Sequence, residues 1–312
     1  METNFIQYIV SQKPLEWTII KNHVDHRLKG NNALVINLVR FSLIIDLVKK
    51  YFTKKNKILD IGIYPGILPK IFYEFYPLKG NYEYFGVGLG FDNQFINKMK
   101  DYNVKLFEVD LDPRLKLNRK LKNKIPINDQ AIDFCFLTDV IEHFFDPIYP
   151  LREINRVSKM GAILIVSTDN LSRFHALINF LKGRSPNVPL LEGNLFYDGD
   201  WRPHFREYSK DELSLLLKWS GYEIIEHQYY SSEFGEYKKI NNNIEKQKIS
   251  SKTFKSVIAS LISKFFMNAF DHMKDNQILV ARKRVKYSEV LKKYPNIVHD
   301  VESWVQLRKK HK

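Results

Sequence analysis

At 312 residues and 44% hydrophobic content, the chain can form one large domain, or one domain with appendages, around a sizeable core. One cysteine, Cys135, excludes an internal disulfide and fits a reducing, cytoplasmic setting; Met1 to Val10 lacks a signal-peptide pattern, and no apolar run approaches the ~18 residues of a membrane span. The formal charge of +14 admits nucleic acid, anionic lipid or acidic glycan as partners, but the lysines are scattered, as at Lys54–Lys55, Lys238–Lys239 and Lys309–Lys310, which favours a solvated basic surface.

Residues 1–32 form a mixed lead that closes on the turn chemistry of Asn31 and Asn32. From Ala33 to Phe52, the residues Leu34, Leu38, Phe41, Ile45 and Val48 recur at helical spacing and predict an amphipathic helix. The stretch ILDIGIYPG, Ile58 to Gly66, comes next. Ile58, Leu59 and Ile61 read as a buried parallel strand, with Asp60 near its carboxyl end. Gly62 and Gly66 bracket a tight turn into a helix over Ile67–Phe75. Glycine lets backbone N–H groups approach a ligand, and a helix N-terminus favours electron-rich groups, so this unit predicts a nucleotide-type pocket. Its spacing does not match the G-x-G-x-x-G of dinucleotide folds, which weighs against a nicotinamide-dependent oxidoreductase.

Tyr84–Leu89 reads as a second strand and Asn93–Tyr102 as a helix, with Asp92 suited to cap it. Val104–Val109 is a third strand ending at Asp110, and Asp112–Pro113 begins a turn. In the run from Ile125 to Pro147, Ile132–Leu137 is a fourth strand. Thr138, Asp139 and Val140 stand at its exit, where a parallel sheet opens onto a ligand crevice. Glu142 and His143 follow at the start of the next helix. A histidine there can take a proton from a reacting hydroxyl, or the pair can simply cap the helix and line the pocket. Leu151–Ser158 predicts a helix with Arg152, Glu153 and Arg156 on its wet face. Lys159–Ala162 predicts a turn, and Ile163–Val166 a fifth strand ending in Ser167-Thr168-Asp169-Asn170.

Arg173–Pro186 predicts a helix and then a loop. Residues 183–203 are rich in Gly, Pro and Asn, with Leu195, Phe196, Tyr197 and Trp201 interleaved, a loop long enough to fold over the crevice as a substrate lid. His204-Phe205-Arg206-Glu207-Tyr208 leads to a capping box of Ser209 and Glu212, and Gly221 ends the helix that follows. His204 and Arg206 can hold an acidic or hydroxylated substrate; Arg206 and Glu207 can equally form a local ion pair. Tyr222–Tyr229 is a sixth strand and 231–253 a polar connection. Phe254–Phe270 is an amphipathic helix, basic at Lys255 and Lys264, that suits a membrane surface or one face of the sheet. Gln277–Ala281 is a last strand, and Val285–Lys312 a basic helical tail with Trp304.

Together these segments resemble the motifs of class I S-adenosylmethionine-dependent methyltransferases over about residues 33–284. The turn from Asp60 to Gly66 is similar to that family's first motif, an acid followed by G-x-G-x-G, with Tyr64 replacing the middle glycine. The run IPINDQAIDFCFLTDVIEHFFDP is similar to its proline-led turn, acid, buried strand and acidic-apolar-Glu-His ending. Lys159-Met160-Gly161-Ala162 stands where Lys-Pro-Gly-Gly is usual, and Ser-Thr-Asp-Asn where Ser-Thr-Pro-Asn is frequent. HFREY resembles a subgroup associated with surface glycan or sugar pathways.

The resemblance implies an α/β, Rossmann-like fold: a seven-stranded, mostly parallel sheet with helices on both faces and an antiparallel last strand. It divides the chain into a lead (1–32), a methyltransferase domain (33–284, with a substrate loop at 183–208 and a flexible connection at 231–253) and a basic tail (285–312). It implies S-adenosyl-L-methionine as cofactor, no metal, and methyl transfer to an oxygen of a small-molecule, sugar or glycan-type acceptor. The donor-binding residues it implies are Asp60, Gly62, Tyr64 and Gly66 at the turn, Asp110 and Leu111 near the adenine, and Asp139 and Val140 at the fourth strand's exit. The acid expected at the ribose is replaced by Gly88, and Asp92 is the nearest carboxylate. His143 and His204 are the candidate bases, and Glu142, Arg206 and Tyr208 the candidate acceptor contacts. Two alternatives stand beside this reading. An RNA methyltransferase is motivated by the charge, but Thr-Asp-Val stands where adenine-modifying enzymes carry Asn/Asp-Pro-Pro-aromatic. A non-catalytic binding protein with a degenerate cofactor site is motivated by Tyr64 and Gly88.

Overall fold

A computed structural model of the protein describes residues 5, 7–8, 37–53, 55–78, 81–112, 123–187, 202, 204–231, 237–240, 243–246 and 254–293. Most of the lead, Phe196, Tyr197 and Trp201 of the expected substrate loop, most of the polar connection and the tail beyond 293 lie outside the described residues.

The elements run α1 (Leu38–Tyr51), β1 (Lys55–Ile61), α2 (Ile67–Glu74), β2 (Asn81–Gly88), α3 (Asn93–Asp101), β3 (Val104–Glu108), β4 (Ile132–Thr138) and α4 (Ile148–Val157). Then follow β5 (Ser158–Asp169), α5 (Phe174–Leu181), α6 (Lys210–Trp219), β6 (Tyr222–Tyr230), a small hairpin of β7 (Tyr237–Ile240) and β8 (Asn243–Lys246), α7 (Phe254–Ala269), β9 (Asn276–Lys283) and α8 (Tyr287–Lys293). The main sheet has seven strands in the order β3-β2-β1-β4-β5-β9-β6. β9 is antiparallel to both β5 and β6, and the other pairings are parallel. The order reverses between β1 and β4, and their carboxyl ends therefore splay apart into a crevice, the usual ligand position in an open α/β sheet.

Alternation along the central strands divides the core. Ile58, Phe134, Phe136, Ile163, Ile165, Ile278 and Val280 face α1, α2 and α3. Their neighbours Leu59, Cys135, Leu137, Leu164, Val166, Leu279 and Ala281 face α4 and α6. Each strand is buried on both faces, which is why these strands read as continuous apolar runs. Cys135 is fully buried, and burial pushes its thiol up to about 12.

Two expectations change. β5 begins at Ser158 and absorbs the predicted turn at Lys159–Ala162; Gly161 at φ +81° lies in that stretch, and the register against β4 shifts between Ile132 and Phe134. Arg152, Glu153 and Arg156 are buried, not on a wet face. Arg156 bonds Glu153 through Nε and Nη2 (2.9 and 2.6 Å) and donates to the carbonyls of Ile125 (2.9 Å) and Ile127 (3.1 Å). The segment before β4 lies across this face of α4, so Glu153 and Arg156 are buried because they tie that segment down.

Candidate active site

The crevice edge is built by the turn after β1, the exits of β4 and β5, and residues 202 and 204–208. Gly62 and Gly66 both adopt left-handed backbone, φ +71° and +79°. A Cβ on Gly62 would lie 2.3 Å from Val140 Cγ2, and one on Gly66 would lie 2.4 Å from Met99 Cε. The turn is therefore glycine by necessity at both positions. The α2 helix starts at Gly66 with no side-chain cap, which leaves its N-terminus for an anionic group. Tyr64 packs its ring against Phe95 of α3, centroids 5.2 Å apart. Asp60 is buried, accepts from Tyr84 Oη at 2.9 Å, and is pushed up to about 7 by burial, so it serves the sheet.

At the end of β2, Gly88 lies under Phe91, whose ring atoms stand 2.9 Å from the position of an added Cβ. Asp92 caps α3, its Oδ1 accepting from Phe95 N at 2.7 Å. At the end of β3, Asp110 is buried and Leu111 lies in the core. Arg202 Nη2 lies 2.7 Å from both Asp110 oxygens, and Oδ1 also accepts from Asp112 N at 2.9 Å. Oδ2 thus keeps a lone pair for a further donor.

At the exit of β4, Asp139 has φ +52°, accepts from Ser167 Oγ at 2.7 Å, and pairs with Arg40 of α1. Arg40 is buried, which lowers its pKa, and its Nε has no hydrogen-bond partner among the described residues. The expected helix start at Glu142 and His143 is a short 3-10 turn, Ile141–His143. It turns Glu142 inward, where Thr168 Oγ1 donates to it at 2.9 Å. Burial, and then Asp169, raise the Glu142 pKa. His143 Nδ1 lies 2.7 Å from the Arg202 carbonyl; that oxygen can only accept, so Nδ1 carries a proton, and in the neutral ring Nε2 keeps the lone pair. The His204 ring stands 4.6 Å from that of His143 and nearly perpendicular to it. His204 Nδ1 lies 3.3 Å from Asp169 Oδ2. Burial lowers the His204 pKa, but Asp169 and Glu142 outweigh it and the net shift is upward. Asp169 moves the other way: burial raises it, and His204 more than reverses that. Ligand atoms of Glu142, His143 and His204 lie within 4.8 Å of one another, as do those of Asp169, His204 and Glu207. Both sets have donors of the kind that hold divalent ions.

Arg206 is exposed, pairs with Glu212, and lies over the Tyr208 ring at 5.7 Å. Its neighbour Glu207 is buried and gripped by Arg173. Tyr208 is buried in the core, its Oη without a hydrogen-bond partner among the described residues. The fold thus gathers Gly62, Gly66, Asp110, Asp139, Val140, Glu142, His143 and His204 around one edge, while Asp60, Arg206 and Tyr208 serve packing and capping. The sequence reading did not single out Arg40, Arg202 or Asp169. The Ser-Thr-Asp-Asn strand end pointed to Asp169; no local pattern marks the two arginines.

Sheet order, glycine turn and the acids at the exits of β3 and β4 define the class: a Rossmann-like, class I fold with the crevice of S-adenosylmethionine-dependent methyltransferases. Comparison with known proteins agrees. The family described as "Methyltransferase domain" matches residues 37–227, and the chain belongs to it. A probable S-adenosylmethionine-dependent methyltransferase of Mycolicibacterium smegmatis is 31% identical over 112 residues, 36% of this chain and 37% of that protein. One from Mycobacterium tuberculosis, Rv3030, is 31% identical over 110 residues, 35% of this chain and 34% of that protein. The matched segments thus span about a third of these relatives. Among solved structures, an S-adenosylmethionine-dependent methyltransferase from Archaeoglobus fulgidus is similar at TM-score 0.46 and 17% identity, covering 80% of this chain and 94% of that one. S-adenosylmethionine is the cofactor of this family. The turn, the free α2 N-terminus and the spare lone pair on Asp110 suit such a molecule; the ribose end differs, with Phe91 over Gly88 in place of a carboxylate. Among the described residues no helix is long and apolar enough to cross a membrane.

Proposed function

We propose that the protein transfers a methyl group from S-adenosylmethionine to a hydroxyl of a small-molecule, sugar or glycan-type acceptor. The observation that carries this reading is the Asp169–His204 pair beside His143 and Glu142, at the exits of β4 and β5 and adjacent to the glycine turn. When bound, the donor supplies an activated methyl group open to direct displacement. The Gly62–Gly66 turn and the α2 N-terminus would hold its amino-acid end, Asp110 would accept from its adenine amino group, and Val140 and Leu111 would supply apolar walls. Asp169 Oδ2 stands 3.3 Å from His204 Nδ1 as its ion-pair partner and favours the proton on Nδ1, which leaves Nε2 as the base that takes the hydroxyl proton. His143, held by the Arg202 carbonyl, turns its Nε2 toward the same space and orients the hydroxyl. Arg202 joins Asp110 to His143, so loop position and donor site are set together.

The test is a labelled-methyl transfer assay over a panel of hydroxylated acceptors, with calorimetry of S-adenosylhomocysteine binding. His204→Ala should lower kcat by about a hundredfold or more with product binding unchanged. Equal loss of both refutes a role as base. A second reading has one specific observation in its favour, the ligand set of Glu142, His143 and His204: a divalent ion there would bind and acidify the acceptor oxygen. Activity lost on chelation and restored by one metal selects that reading.

A further inference from the structure

Twelve large apolar side chains are exposed among the described residues, and six of them sit on or directly after two touching helices. Leu177, Phe180 and Leu181 share one face of α5 and are 42%, 68% and 70% exposed. Ile262 and Phe265 on α7, and Phe270 just past it, are 45%, 67% and 44% exposed. The two helices are joined underneath by Phe174 of α5 stacked on Phe266 of α7, centroids 5.2 Å apart. A helix packed by one face with a second apolar stripe left outward is a surface built for a partner.

The charge around it is mainly positive; Asp271, beside Phe270, is an exposed acid and pairs with Lys274 at 2.6 Å. Residues 170–187 and 254–270 contain no Asp or Glu, and they carry Lys182, Arg184, Lys255 and Lys264 besides Arg173, which is paired with Glu207. Lys182, Arg184 and Lys264 are exposed. Arg184 follows Phe180 and Leu181 at the open end of α5, so cation and apolar side chains leave the protein together. The position is also informative. α5 begins five residues after Asp169, and the chain leaving α7 enters β9 at Asn276, the residue paired with Asp169. Asn170 Nδ2 donates to the carbonyls of His272 and Lys274, both at 2.8 Å, locking the two segments at the sheet edge that carries the crevice.

We propose that the outer face of α5 and α7 docks on an anionic lipid bilayer and sets the crevice at the membrane surface. Apolar side chains enter the headgroup–acyl boundary, and the predominantly basic rim is drawn to the lipid charge. An uncharged apolar partner would gain nothing from that rim, and a second copy would oppose it to its own positive charge.

The full chain is floated with vesicles of phosphatidylcholine alone, or with phosphatidylglycerol added, at low and high salt. It should float with the anionic vesicles, lose most binding at high salt, and ignore the neutral ones. Lys182→Glu with Arg184→Glu should weaken binding by at least about tenfold. Phe180→Ser with Leu181→Ser and Phe265→Ser should do likewise. Circular dichroism and S-adenosylhomocysteine calorimetry of the same variants establish that fold and donor site are intact, so that failure of the lipid reading is distinct from failure of the methyl-transfer reading. Absence of flotation, or flotation untouched by both variant sets, overturns the proposal. A lipid-free dimer in sedimentation velocity that the apolar variant dissociates, with no vesicle capture, also overturns it and assigns the face to a second copy.

Discussion

The tightest steric statement in the site concerns Gly62 and Val140, and it can be measured. In Gly62→Ala the new methyl must sit at φ +71°, a left-handed conformation that costs an L-residue about 1–2 kcal/mol. It must also meet Val140 Cγ2 at 2.3 Å and Cγ1 at 3.2 Å, an overlap that forces the β4 exit aside for roughly 1–3 kcal/mol. The sum is about 2–5 kcal/mol, which in a domain of this size lowers Tm by roughly 5–15 °C. Gly161→Ala is the internal control: its φ is +81°, but nothing lies within 4 Å of the added Cβ. It should lose only the backbone part, about 1–2 kcal/mol. Val140→Ala in the Gly62→Ala background should restore the steric part alone, giving a coupling of about 1–3 kcal/mol in a double-mutant cycle. Denaturant unfolding of the four proteins and the control reads all of these. Equal losses for Gly62→Ala and Gly161→Ala, or an additive cycle, would refute the contact between glycine turn and β4 exit on which the pocket rests.

Further consequences follow from the charges. Asp60 is raised from 3.8 to about 7 when folded, so the folded state holds its proton where the unfolded state has released it. Stability should therefore fall as pH rises from about 4 to 7, by up to about 4 kcal/mol, and Asp60→Asn, judged by urea midpoints, should flatten that slope. His204 is raised, so it is charged until pH passes the ordinary histidine range, and the rate should climb with pH there. Asp169→Asn removes the negative charge that holds the proton, so the kcat/KM profile should shift to lower pH and its plateau should drop; an unmoved profile assigns the limb to another group. Arg202→Ala breaks a buried pair with Asp110 and should cost about 3 kcal/mol of stability and weaken S-adenosylhomocysteine binding, both read by calorimetry. Val140→Ala alone, at a half-buried position, should cost under about 1.5 kcal/mol, checked by thermal unfolding.

The glycine register, the apolar strands, the Ser209–Glu212 box and the run through Glu142 and His143 were legible because each is a short-range pattern. Burial on both faces writes continuous apolar residues, left-handed backbone selects glycine, and a helix start selects a side-chain acceptor. The seven-stranded, mostly parallel sheet followed from resemblance, not from periodicity, and the order β3-β2-β1-β4-β5-β9-β6 came only from the structure. What only the tertiary structure decided is which charges meet. Arg202 reaches Asp110 across 92 positions, and Arg40 meets Asp139 only because α1 lies over the β4 exit. Arg152, Glu153 and Arg156 carry a pattern that reads as solvent-facing, yet all are buried, Glu153 and Arg156 because the segment entering β4 crosses α4. Helical and strand periods record which face of an element is apolar. They hold no record of which distant carboxylate an arginine will find, since that depends on the packing order of the whole sheet.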